Sequence, residues 1–452
     1  YIGYQDKFIS NIEVNSAKEV ILDIGLVESV EELKEVVVMA STKKGGALNE
    51  LAIVSSRSIS AEQTSRYAGG FNDPAKITGH FAGVTNTQDG GNDIVIRGNS
   101  PKYVEWRLEG AEITNPNHFG DPSAISGSAG ALNNNLLSTS DFHTGAFSPE
   151  FGNALSGVYD VRMRKGNNEK RENSFMIGAL GIELATEGPF SKKSKASYLV
   201  NYRYSTLGLL NAVGLNPAGD ILPAYQDLSY NFFFPTKKLG QFSVFGVMGK
   251  NISEMYDDFS PSDTTEDTRD DYDGFTELGF VNTTGIKHIY NFNNKGYIKT
   301  VASHSYNKIS GKDESLEIDT VKNISFRFNE DDITNVETQA RISTMFNYKF
   351  SSRSTLRAGA IATQLDYNFL SKFSDYEDDT TFVAFDDESN SMQYQAYTQW
   401  KYRLTKEITL NTGVHMTRLA ATKASSIEPR ASLRYKASPK LSVSASVGKH
   451  SR

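Results

Sequence analysis

The sequence predicts a mostly-β chain, the larger part of it a transmembrane antiparallel β-barrel. Three observations carry that prediction. Beyond Gly166, runs alternate apolar and polar residues with period two. The connections between runs are alternately short and long, and aromatic residues gather near the run ends.

In "TQARISTMFNYKF", Ile342, Thr344, Phe346, Tyr348 and Phe350 share one face. Arg341, Ser343, Asn347 and Lys349 share the other, with Met345 apolar among them. In "MQYQAYTQWKYRL", Tyr394, Ala396, Thr398, Trp400, Tyr402 and Leu404 oppose Gln393, Gln395, Gln399, Lys401 and Arg403, Tyr397 excepted. "SIEPRASLRYKA" sets Ile427, Ala431, Leu433 and Tyr435 against Glu428, Arg430, Ser432, Arg434 and Lys436. About twelve such runs are legible, the earlier ones less clean.

Short turns such as "PTKKLG", "FNNKG" and "FSSRST" alternate with long acidic joins such as "SEMYDDFSPSDTTEDTRDDYDG". That is the connectivity of an up-and-down outer-membrane barrel. A soluble sandwich or propeller also buries one face, but its other face meets water and needs no aromatic ends. Here the apolar face carries Trp, Tyr and Phe and the polar face Arg, Lys and Gln, which suits a lipid-facing exterior and a wet or plugged interior. No run approaches the roughly 18 apolar residues of a membrane-spanning helix, a test that barrel strands escape.

Taken from the start, residues 1–33 alternate in short runs, with Ile9, Ile12, Val14, Val20, Leu22 and Ile24 on apolar faces. They read as the end of a small β-sandwich. Residues 34–46 carry Glu35, Val36, Val37, Val38 and Met39 into Lys43-Lys44-Gly45-Gly46, a linker by composition. The β-branched run suits an extended segment that adds to an open sheet edge, or the last strand of the sandwich. Residues 47–165 mix short strands with Gly, Asn and Ser clusters, as a compact, turn-rich domain or an ordinary α+β domain would. Within them, "IVIRGNSPKYVEWRLEGAEI" places Arg97, Arg107 and Glu109 inside strand-like runs, and "TNPNHFGDP" follows as a turn. Residues 166–452 form the barrel, and "SVGKHSR" reads as the middle of a strand.

At 452 residues the chain is too long for one simple core. A net charge of −7 argues against nucleic acid as a partner. Without cysteine there is no disulfide framework and no thiolate metal site. No G-x-S-x-G, H-E-x-x-H or G-x-x-x-x-G-K motif is present and the seven His are scattered, so no enzyme, cofactor or metal site is expected. His118 lacks a second His or Cys at ligand spacing. The acidic joins lack EF-hand spacing, read as solvated loops, and disfavour a strongly anionic substrate.

The chain resembles the TonB-dependent outer-membrane receptors, in which an N-terminal plug domain fills the barrel. "NDIVIRGNSP" with "YVEWRLEGAEI" is similar to the family's "IRG…DG" strand pair, and "LLSTSDFHTGAFSPEFGNALSGVYDVRMRKG" to the plug's last segment. Arg97, Gly98, Glu109, Gly110, Gly145, Gly152 and Gly157 occupy the motif places, and "EPRASLRY" recurs in the family's barrels. Glu109-Gly110-Ala111 stands where the family has Asp-Gly-Val, and Thr144-Gly145-Ala146 where it has Arg-Gly-Pro. The start is similar to the carboxypeptidase-regulatory-like sandwich of Bacteroidota receptors, and Glu35 to Met39 stand where those receptors carry their TonB box.

The resemblance implies a fold and a function. Its barrels close with 22 strands, so this chain is expected to be part of a longer receptor lacking about ten strands. The implied activity is TonB-dependent active import of a nutrient across the outer membrane: a siderophore or other metal chelate, a peptide or an oligosaccharide. The partners implied are the inner-membrane TonB complex, the nutrient, outer-membrane lipids and a surface lipoprotein. A plugged barrel serving surface attachment or secretion is the alternative. Arg97 is expected to pair with a barrel carboxylate or within the plug. Asn115, Asn117, His118 and Phe119 are expected either to face a ligand from a plug loop or merely to reverse the chain.

Overall fold

The computed structural model describes residues 47–86, 91–120, 125–178, 181–207, 222–256, 272–319, 324–375, 380–438 and 441–452. The expected sandwich end (1–33) and the TonB-box segment and linker (34–46) lie outside the described residues.

The first part is an inner domain of short strands: β1 (Ser56–Ile59), β2 (Val84–Thr85), β3 (Val95–Ile96), β4 (Val104–Leu108), β5 (Ala111–Ile113), β6 (Asn117–His118), β7 (Ala129–Gly130), β8 (Ser140–His143) and β9 (Gly157–Val161). Five of them make a sheet in the order β1-β8-β9-β4-β5, with β4 and β9 parallel. The helix α1 (Ala61–Arg66) starts at Ser60, which accepts from Gln63 N while the Gln63 side chain accepts from Ser60 N. This reciprocal cap satisfies two otherwise orphaned donors.

Strand β4, "VEWRL", is buried along its whole length. Val104, Trp106 and Leu108 enter the domain's apolar core with Ile96, Phe142 and Tyr159. Glu105 and Arg107 are on the opposite face, where Arg107 donates to Glu150 O at 3.2 Å and lies over the Phe151 ring at 4.7 Å. A strand between an apolar core and a covering polar segment carries charge on one side and remains buried on both.

Two motif places are tight turns. Arg97 and Gly98 have φ of 53° and 78°, and Asn99 N donates to Ile96 O at 3.1 Å. Glu109 and Gly110 have φ of 57° and 94° and join β4 to β5, with Leu108 opposite Ala111. Left-handed φ at both central positions is the two-residue hairpin geometry that fits the twist of the strands. Arg97 and Glu109 are therefore turn residues, and Arg107 alone of the three charges sits inside a strand.

The wall is a 13-stranded antiparallel sheet in sequential order. Its strands are β10 (Glu172–Gly178), β11 (Gly181–Pro189), β12 (Ser197–Tyr204), β13 (Leu222–Pro235), β14 (Gln241–Tyr256), β15 (Tyr272–Asn293), β16 (Gly296–Asp319), β17 (Ile324–Ser351), β18 (Ser354–Asp375), β19 (Thr380–Arg403), β20 (Ile408–Leu419), β21 (Ser425–Lys436) and β22 (Ser442–Gly448). The sequence shows about twelve runs; the weakly alternating "ENSFMIG" of β10 is the kind of strand that pattern misses. β22 also stops at Gly448, short of the expected run to the chain end, and His450 turns back onto Phe147 at 5.0 Å between ring centroids.

The faces follow the predicted alternation. Ile342, Phe350, Tyr394, Trp400 and Ile427 are exposed on the outer face, while Arg341, Gln399, Lys401 and Arg430 are buried on the inner. A bilayer crossing needs about 9–11 residues of tilted strand. β15 to β19 have 22 to 28 residues each, so they continue well past it on the long-loop side.

Candidate functional site: the seam between plug and wall

The inner domain meets the wall mostly through charge and hydrogen bonding, and against β15 to β19 the carboxylates are on the plug and the cations on the wall. Glu109, in the β4–β5 turn, accepts from Lys287 of β15 and, through its other oxygen, from Met163 N at 2.5 Å. Glu112 of β5 pairs with Arg341 of β17. Glu150 accepts from Arg357 of β18 at 2.8 and 2.9 Å, and Glu50 from Lys401 of β19 at 3.0 Å.

Uncharged groups continue the seam. Asn153 and Gln393 of β19 exchange two hydrogen bonds of 3.0 Å each. Arg430 of β21 donates to Ser148 O at 2.8 Å and Phe151 O at 2.7 Å, and His415 of β20 meets Pro149 O at 2.7 Å. On the opposite side Arg164 forks onto Glu187 of β11 at 2.6 and 2.8 Å.

Apolar contact with the wall is placed differently. The plug's core cluster takes in Leu199, Phe245, Val247, Val281 and Val301, which belong to β12, β14, β15 and β16. The plug thus shares a dry core with β12–β16, where Lys287, Asp227 and Arg203 also bond it, and meets β17–β21 through polar groups.

Burial inside the plug shifts its ionisable groups. It pushes the Glu105 carboxyl up to about 7, even with Arg107 Nε donating to it at 2.5 Å. Burial likewise raises Asp141 to about 6, despite Arg162 and the N–H groups of Leu48 and Asn49. It lowers His143, whose Nδ1 meets Ser56 Oγ at 2.6 Å, to about 4.

Solved structures similar to this chain include siderophore receptors. The chain is similar to the siderophore receptor PirA from Pseudomonas aeruginosa (14% identity, 87% of this chain and 61% of that one, TM-score 0.56). It is similar to PirA from Acinetobacter baumannii (14%, 87% and 60%, TM-score 0.57). The P. aeruginosa outer-membrane ferripyoverdine receptor also matches (13%, 87% and 56%, TM-score 0.63). The chain has the fold of plugged outer-membrane receptors. It spans about three-fifths of the length of these structures. No protein-family model and no curated protein matches the sequence.

Within this receptor fold the motif glycines sit at close approaches. A Cβ on Gly152 would lie 2.6 Å from Gln395 Nε2 and from His415 Nε2, so its absence lets the plug touch β19 and β20. One on Gly157 would lie 2.3 Å from Ile96 Cδ1. Gly145, at φ 145°, lies against the Arg97 guanidinium, at 3.5 Å from where its Cβ would be.

Arg97 and residues 115–119, the remaining candidate site residues, sit in the plug's own turns and against β12 and β13. Arg97 is exposed and forms no ion pair among the described residues, with either wall or plug; its backbone N–H bonds Gly83 O at 2.8 Å. Its side chain lies along Gly83 and Gly145 of the plug. The segment 115–119 does not offer free side chains to a ligand. Asn115 folds the segment by accepting from Asn117 N at 3.0 Å and donating to Ser126 O at 3.1 Å, and Asn117 accepts from Asn92 at 3.0 Å. His118 is fully buried against the wall, bonded to Asp227 of β13, which Arg203 of β12 also holds. Tyr225 of β13 lies against the His118 ring at 5.1 Å and the half-buried Phe119 ring at 6.1 Å.

Sequence reasoning missed every specific pair in the seam. The available signal was complementary: acidic plug residues such as Glu112 and Glu150, and basic residues on the inner face of "TQARISTMF" and "YTQWKYR".

Proposed function

We propose that this chain is the plug and part of the barrel of a TonB-dependent outer-membrane importer of the Bacteroidota type. Residues 1–33 are then the end of its carboxypeptidase-regulatory-like domain, 34–46 its TonB-box segment, 47–165 the plug and 166–452 the barrel. Substrate binds on the long-loop side. TonB of the inner membrane pairs with Glu35 to Met39 by strand addition and pulls, and the plug shifts to open a path. Of the cargoes the family resemblance implies, a siderophore has the support of the fold neighbours, and a peptide or oligosaccharide fits the same machine. The outer face meets lipid, a surface lipoprotein can cover the mouth, and no catalytic step is involved.

The observation that carries this reading is the polar seam against β17–β21. Parting this seam returns its buried charges and hydrogen-bonding groups to water, which replaces the lost bonds, whereas parting a dry core exposes apolar area at about 25 cal/mol per Å². A wall joined to the plug by a dry core on every side would resist a pull. On this reading the opening runs along β17–β21, with the plug retained on β12–β16.

The test is uptake in energised cells producing the full protein, with and without residues 35–39. Import is expected to stop without them while ligand binding to the purified protein persists. Unchanged uptake would contradict the reading.

A further inference from the structure

The inner face of the wall continues past the plug. Plug contacts on β17 and β19 reach Arg341 and Gln393, and these strands run on to Ile324 and Thr380. Pairing of β17 with β18 is unbroken from Arg341↔Thr363 to Asp331↔Phe373, so alternate residues beyond the plug keep facing inward. β19 has one irregularity, opposite Ser371 and Lys372, after which Phe382 pairs with Phe373 and joins the same face.

This unpartnered face is aromatic. It carries Tyr367, Phe369 and Phe373 of β18 with Phe382 and Phe385 of β19. Tyr367 is 38% exposed, Phe373 43%, Phe382 56% and Phe385 61%, and the Phe369 and Phe385 rings lie 6.1 Å apart. Rings on strand that has left the bilayer meet water, a standing cost that a ligand would remove.

The face is also acidic. Inward positions above the plug on β15 to β19 include Glu277, Asp313, Asp331, Glu337 and Asp387, and no Lys or Arg among the described residues. Lys308, Lys312 and Lys372 fall on the alternate, outward positions. Arg452, from beyond β22, lies within electrostatic reach of both Glu337 and Tyr367.

We propose that this upper inner wall of β17–β19 binds a short basic peptide with apolar side chains, the cargo of the import reading on which this inference rests. Lys or Arg side chains sit against Glu337 and Asp387 and over the ring faces, where cation–π attraction adds to charge pairing. Apolar side chains lie on Phe369 and Phe385. From Tyr367 to Phe373 the strand rises about 20 Å, the reach of about six extended residues. An anionic chelate is repelled by the same carboxylates. Four of the five rings are Phe, which lack the hydroxyl or indole N–H that would bond a sugar.

The test uses the purified full-length protein and four probes: a labelled Lys/Phe hexapeptide, its Glu/Phe counterpart, maltohexaose and a ferric catecholate. The Lys/Phe peptide is expected to bind, and more weakly as salt rises. Glu337→Gln with Asp387→Asn should weaken it about tenfold. Phe369→Ser with Phe385→Ser should weaken it too, and Lys372→Gln on the outer side should not. Preference for any other probe, or equal affinity in the wild type and both double variants, overturns the proposal. Uptake by energised cells separates it from the import reading. A peptide that binds this face but never enters refutes import alone; a ferric catecholate that enters while the peptide fails to bind refutes the cargo assignment alone.

Discussion

Arg357 of the wall donates to both carboxylate oxygens of Glu150 on the plug, at 2.8 and 2.9 Å, and Asn49 donates to the same carboxylate. Burial alone would raise Glu150, but Arg357, Lys299 and Asn49 outweigh it and hold the carboxyl below its ordinary range. The contribution of such a group is present above the unfolded-state value and is lost as pH falls. Glu150→Ala leaves the Arg357 charge buried without its partner. The expected cost is about 3 kcal/mol in plug retention, read as a lower urea midpoint for protease cleavage of the plug. Glu150→Ala with Arg357→Met should recover most of it, and a double variant as weak as the single would show that the pair is not what holds the plug there.

Glu105 gives a pH dependence of the opposite sign. Its folded value, about 7, is above the ordinary 4.5, so the folded plug binds the extra proton. Stability from this group is complete below about 4.5 and is lost as pH rises through about 7. Asp141 acts in the same sense between 3.8 and about 6, and His143 oppositely, losing stability as pH falls from 6.5 towards about 4. Glu105→Gln should therefore gain on the wild type as pH is raised from 5 to 8, in plug urea midpoints taken across that range. A constant difference would contradict it.

Gly152→Ala should loosen the plug, because its methyl would meet Gln395 and His415 at 2.6 Å. Overpacking of this kind costs about 1–3 kcal/mol. The variant should release the plug to protease sooner, and Gly152→Ala with Gln395→Ala should regain part of the loss. Unaltered cleavage rates would mean that the approach at β19 and β20 is looser than the contacts indicate.

Arg97→Gly is expected to be neutral or stabilising by about 0.5–1 kcal/mol, since Arg97 holds φ 53° at an exposed turn and forms no described ion pair. A thermal melt that falls by several degrees would restore the ion-pair expectation for this residue.

The wall was legible because period-two alternation is local: Ile342 to Phe350 and Tyr394 to Leu404 announce their outward face within a few residues. The inner domain was legible only through its family-like turns, Arg97-Gly98 and Glu109-Gly110, because strands as short as β2 or β6 carry no period. The seam was not legible. Glu112 meets Arg341 229 residues away and Glu50 meets Lys401 351 residues away, and no local pattern encodes such pairings. His118 shows the same limit, since a Pro-Asn turn in sequence says nothing of the Asp227 that buries it.

If the plug moves along β17–β21 as cargo passes, tying it to that wall blocks passage. These 452 residues contain no cysteine, so Glu112→Cys with Arg341→Cys adds a defined pair that a short, reductively cleavable bis-maleimide can bridge. Uptake of the labelled Lys/Phe hexapeptide and of a ferric siderophore is followed in energised cells before bridging, after bridging and after reduction. The account predicts that whichever cargo enters stops on bridging and resumes on cleavage. Uptake that continues at its full rate with the plug bridged to β17 would contradict it.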